Sequence, residues 1–198
     1  MTKLAKIIKS NSHVDYVGRV IDRLDADEPP APSDYGFAQF VSMPLDDGSE
    51  VVGVIYNSQL INPEYGNFGP RLSSAADNSV LSPDYLNEQG LLLGVLLLGW
   101  IDAEGVSHQT VPRRVIPVNQ EIYRLEDEGV RRFHLDVDGR VHLHYYSQIT
   151  THAGPFGPAL MEAIINQLEP ACEPEERQRL CVLKQALVWQ RTVGNQRL

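Results

Sequence analysis

Val51-Val52-Gly53-Val54-Ile55-Tyr56 lies within the run "EVVGVIY" (Glu50–Tyr56), where a glycine interrupts an otherwise apolar strand pattern. Glycine inside a strand weakens it unless the geometry requires one. The same arrangement recurs at Val17-Gly18-Arg19-Val20-Ile21 and at Leu93-Gly94-Val95-Leu96. Small closed barrels impose that requirement, because their strands bend at corners and their backbones approach closely. Three such segments joined by short turns predict a small closed antiparallel β-barrel. No helical pattern of about 10–15 residues separates the early strands, so parallel crossovers are not expected.

Working outward, further strand candidates are Tyr16–Ile21, Phe37–Met43, Leu91–Trp100 and His108–Ile116, the last carrying Pro112, which belongs at an edge or a bulge. Turn signals separate them: "DEPPAPSD", "DDGS" and "DAEG". Asn119–Glu128 reads as a short helix ending the barrel. In Arg131–Tyr146, Asp138-Gly139 joins two alternating runs, the pattern of a β-hairpin. Pro158 suits the start of a helix whose apolar face is Leu160, Met161, Ile164, Ile165 and Leu168. A second helix runs from Pro174 to Gly194, with a stripe of Leu180, Leu183, Leu187 and Val188 flanked by Cys181 and Trp189. The expected fold is α+β: a barrel over residues 12–130, then a β-hairpin and a two-helix appendage over residues 131–198.

The 198 residues are 42% hydrophobic and 22% charged, with a net charge of −9. That charge is uneven, because residues 1–130 hold 9 basic against 19 acidic side chains. Direct nucleic-acid binding, which needs clustered Lys and Arg, is disfavoured. Two cysteines, Cys172 and Cys181, are too few for a disulfide framework and point to a reduced, cytoplasmic setting. The opening "MTKLAKIIKS" has no apolar core of signal-peptide length. The most apolar run, Leu91–Trp100, is ten residues long, half of the roughly 20 a membrane helix needs. It reads as a core element, and no membrane association is expected.

Four stretches in order, "VGRVID", "EVVGVIYNSQLINPEYGN", "LLLGVLLLGWID" and "VPRRVIPVNQEIYRLEDE", resemble the HAS barrel. This domain stands at the N-terminus of HerA-type hexameric DNA-translocating ATPases and of rotary ATP synthase subunits. The resemblance implies a barrel that packs side by side in rings and helps to dock a nuclease. In that family a strand and a G-x-x-x-x-G-K-[ST] phosphate loop follow the barrel. Here the corresponding place, "HLHYYSQITTHAGPFGPALMEAIINQL", reads as strand, glycine-bearing loop and helix. No Lys or Ser/Thr follows Gly157, and Pro158 stands where the lysine would be. Nucleotide hydrolysis by this chain is not expected, no family catalytic residue transfers, and no cofactor is implied. The loop is either a decayed phosphate site or an unrelated turn.

Two candidate sites remain. The long segment after Tyr56 is rich in Asn, Tyr, Phe and Gly, the vocabulary of protein interfaces. Tyr56, Asn57, Asn62, Tyr65, Asn67, Phe68 and Arg71 are its candidate contacts, with a protein partner or a second copy as occupant. The alternative is a loop folded back to plug the barrel. His142 and His144 form H-x-H, a spacing that metals use, with His152 and His134 as further ligands. The alternative there is the polar side of an amphipathic hairpin. Cys172 and Cys181 are expected to pack as small apolar groups. The function these readings favour is a non-catalytic binding or assembly module. The alternative is a small-ligand or metal-dependent enzyme with its site at the barrel mouth or at His142 and His144.

Overall fold

The computed structural model describes residues 1–23, 25–61, 90–136 and 138–194, with side chains as far as residue 187. Among the described residues seven strands are formed: β1 (Lys3–Ser10), β2 (Asp15–Val20), β3 (Phe40–Pro44), β4 (Glu50–Ile61), β5 (Gly90–Ile101), β6 (Ser107–His108) and β7 (Glu121–Arg124). Hydrogen-bonded neighbours run β2-β1-β7-β3-β4-β5, and β2 also pairs with β5. All pairings are antiparallel. That last pairing closes a six-stranded barrel, and β6 is a short addition to the end of β5.

The glycines stand where the wall bends. Between β4 and β5 the register slips twice: Val52 faces Gly99 while Gly53 faces Leu97, and Ile55 faces Val95 while Asn57 faces Gly94. Leu98 and Tyr56 are therefore the extra residues of two bulges, which add local twist and curve a sheet toward closure. At Gly53 a Cβ would meet Val95 Cγ1 at 2.8 Å and the Leu96 carbonyl at 3.0 Å. Close backbone approach, as expected, excludes a side chain there.

Four α-helices follow among the described residues: α1 (Asp127–His134), α2 (Tyr146–His152), α3 (Gly157–Leu168) and α4 (Pro174–Gly194). Leu160, Met161, Ile164, Ile165 and Leu168 of α3 are all buried. Each such side chain contributes about 1.5–3 kcal/mol relative to exposure. α3 and α4 form the expected C-terminal hairpin, with Leu180 and Leu187 buried and Leu183 half-buried. Barrel and helices share one continuous hydrophobic cluster. Gln167 of α3 donates to the carbonyl of Ala38 at 2.9 Å, and α2 packs on β5. β5 is consequently buried on both faces, which explains its unbroken apolar sequence.

Four local expectations are corrected. The barrel wall starts at Lys3 rather than residue 12, because β1 pairs with both β2 and β7. Of His108–Ile116 only His108 is in a strand, as part of β6. The rest is irregular chain in which Ile116 is buried and its N–H donates to the Tyr16 hydroxyl. Asn119–Glu128 is not a helix, since Glu121–Arg124 is the strand that joins β1 to β3. The upstream arm of the Arg131–Tyr146 hairpin is helix α1, whose first turn holds Asp127 and Glu128 and whose last holds Arg131, Arg132 and His134. That order complements the helix dipole, and Val130, Phe133 and His134 fall at helical spacing. The reversal at Asp138-Gly139 is present, with Gly139 at φ +73°, but among the described residues it joins a single bridge, Leu135 to Val141, rather than two strands.

Candidate interaction surface

Beyond Ile55 the β4–β5 ribbon continues to the pair Ile61–Gly90. Side chains alternate along each strand, so Ser58 and Leu60 share a face with their partners Leu93 and Leu91. Ser58, Leu91 and Leu93 of that face line a hollow of about 420 Å³ together with Pro32, Tyr35, Phe37, Tyr56 and Phe156, and Leu60 lies further along the ribbon. Leu60 is 85% exposed, Phe37 48% and Phe156 45%. The rings of Phe37 and Phe156 meet edge to face with centroids 6.2 Å apart. The apolar surface is thus assembled from the ribbon, the turn at Pro32–Tyr35 and the turn before α3.

Tyr56, one of the sequence candidates, lines this hollow and is half-buried. Its hydroxyl donates to Asp15 Oδ1 at 2.9 Å, and Asn11 donates to the other Asp15 oxygen at 3.0 Å. Burial first, and the carboxylate second, push the Tyr56 pKa up to about 12. The phenol is therefore a fixed hydrogen-bond donor rather than an acid. Asn57 lies beside it, its Cβ 3.1 Å from where a side chain on Gly94 would begin. Asn62, Tyr65, Asn67, Phe68 and Arg71 lie outside the described residues. Sequence reasoning missed Phe37, Leu60 and Phe156. Phe156 sat in the loop weighed as a decayed phosphate site or an unrelated turn, and no local pattern links it to a phenylalanine more than a hundred positions earlier.

The glycine-bearing loop does not have the layout expected of a phosphate site. Helix α2, not a strand, precedes it, and Gly154–Phe156 is a single 3-10 turn with Gly154 at φ +55°.

The histidines divide. His142 and His144 border a second hollow of about 520 Å³, their ring centroids 5.0 Å apart. His142 Nε2 is 2.9 Å from Asp136 Oδ2. His134 borders the same hollow, but both its ring nitrogens are engaged, by the Val130 carbonyl and the Tyr145 hydroxyl. His152 is exposed at the end of α2 and does not line that hollow. Among the described residues no group of three His, Cys, Asp or Glu is placed to hold a metal ion. Cys172 is buried as expected, whereas Cys181 is exposed because it falls on the outer side of α4.

A sequence model of one family, described as a domain of unknown function (DUF8166), matches residues 1–196. The chain belongs to that family. The match runs through barrel and helices alike, in keeping with their shared hydrophobic cluster. No curated protein matches the chain. Among the described residues no helix is long and apolar enough to cross a membrane.

Proposed function

We propose that this chain is a non-catalytic assembly module that binds protein at the end of the barrel where the β4–β5 ribbon emerges. One observation carries the reading: Phe37 and Phe156 are partly exposed at a single aromatic hollow, and the exposed Leu60 lies further along the ribbon face that lines it. Aromatic surface gathered in this way is the composition of an interface core. Tyr56, fixed by Asp15, supplies a rigid anchor within it. The resemblance of the barrel segments to the HAS barrel names the class of assembly: self-association, or docking on a HerA-type ATPase or its nuclease.

The test is a Leu60→Asp, Phe37→Ser double variant. Light scattering and co-purification with a candidate ATPase or nuclease are compared with the parent chain. The expected result is loss of self-association or of the partner, with an unchanged thermal midpoint. If mass and partner recovery are the same in both proteins, the reading fails. The alternative, an enzyme using His142 and His144, retains the support of their shared hollow. Stoichiometric zinc or iron in the purified protein would favour it.

A further inference from the structure

The opposite end of the β4–β5 pair holds the larger cavity, of about 720 Å³. This is within the range of small-molecule sites. It opens between the β3–β4 turn, the β5–β6 turn and the irregular chain after β6. Leu45, Val51, Val111 and Pro112 give it apolar walls. Trp100 borders it too, held from one side by the His108 ring at 4.8 Å and 17°. His108 is itself fixed by Asp102 at 2.8 Å. The indole is thus a pre-set surface rather than a mobile one.

The charges on the rim are the informative part. Asp47 is taken by Ser49 and by Arg114, the latter at 2.8 Å. Asp102 accepts from His108 and from the Val106 N–H. Glu104 and Arg113 remain, both exposed, and neither side chain is bonded to another described side chain. Among the described residues the cavity therefore presents an apolar interior, one open anion and one open cation.

We infer that this cavity binds a small zwitterion with an apolar body, a free amino acid or a short peptide. Its ammonium group pairs with Glu104, its carboxylate with Arg113, and its side chain packs on Trp100. Charged hydrogen bonds to both ends give orientation, while the apolar contact supplies most of the affinity. This site is separate from the proposed assembly surface, so either reading can fail without the other.

Tryptophan fluorescence of a Trp189→Phe chain isolates Trp100, since the protein has 2 tryptophans. Leucine, phenylalanine, the dipeptide Leu-Leu, and their N-acetyl and C-amide forms are titrated in turn. The expected result is saturable quenching by a free zwitterion, and the better ligand tells amino acid from peptide. Capping either end, or introducing Glu104→Gln or Arg113→Gln, weakens binding by at least about tenfold. Both substitutions are on exposed side chains, so folding survives and is checked by the thermal midpoint. Absence of saturable quenching by any free form, or equal binding of capped forms, overturns the inference.

Discussion

His134 Nε2 lies 2.7 Å from the hydroxyl of Tyr145, and both side chains are buried. His134 Nδ1 is 2.7 Å from the Val130 carbonyl, so Nδ1–H donates there and Nε2 accepts from the tyrosine O–H. The ring also contacts Phe40 of the barrel at 4.9 Å. A single imidazole therefore links the barrel wall, α1 and the start of α2. Burial pushes its pKa down from 6.5 to about 4. In the unfolded chain the ring takes a proton as pH falls through 6.5, but in the folded chain only near 4. Between those values the unfolded state binds more protons, so stability is complete above pH 6.5 and declines toward pH 4. The total is about 3 kcal/mol. Urea unfolding near neutral pH and at about pH 4.5 should show this loss, and His134→Gln should flatten it. The same slope in both proteins would count against the assignment.

Removing only the hydroxyl tests the same pair differently. Tyr145→Phe leaves Nε2 a buried acceptor without its donor, at a cost of about 1–3 kcal/mol. The variant should also raise the His134 pKa less than exposure would, since desolvation persists. Chemical denaturation gives the first quantity and the imidazole NMR titration the second.

The barrel glycines rank themselves. A Cβ on Gly99 would lie 2.0 Å from the His108 carbonyl oxygen, an atom of the backbone that cannot move without breaking the β5–β6 pairing. On Gly18 it would meet Ile122 Cδ1 at 2.6 Å, the tip of a side chain that can rotate. Gly99→Ala should therefore cost about 3 kcal/mol and Gly18→Ala about 1 kcal/mol. Equal shifts in the urea midpoint would refute the distinction between backbone and side-chain obstruction.

The closed barrel was legible because its signal is local: a glycine within a β-branched run marks a bend whatever lies around it. The C-terminal helical hairpin was legible for the same reason, with Pro158, Pro174 and a 3.6-residue stripe all agreeing. β1 was not, because Lys3, Lys6 and Lys9 disguise a strand whose buried residues are only Leu4, Ala5 and Ile7. α1 and β7 exchanged places in the reading, since Glu121–Arg124 is a strand only through its neighbours β1 and β3. Tertiary pairing overrides a short segment's own preference. The candidate surface was half legible: Tyr56 and Asn57 stood out by composition, whereas Phe37 and Phe156 meet only after the chain folds.

The two thiols offer the cheapest check on how α4 is seated. Cys172 is 4% exposed, and its Sγ–H donates to the Leu168 carbonyl at 3.1 Å. Burial, followed by the nearby Glu176 carboxylate, raises its pKa above that of an ordinary thiol. Cys181 is exposed, on the helix side away from Leu180 and Leu187. Thiolate is the reactive form, so burial and a raised pKa both protect Cys172. A disulfide reagent near neutral pH should label one thiol promptly, with mass mapping to Cys181, and the second only after denaturant is added. Prompt labelling of both in the native protein would mean that α4 leaves the barrel-bound cluster on that timescale. Leu187→Ala, which removes a buried contact of the same helix, should then accelerate Cys172 labelling while leaving Cys181 unchanged.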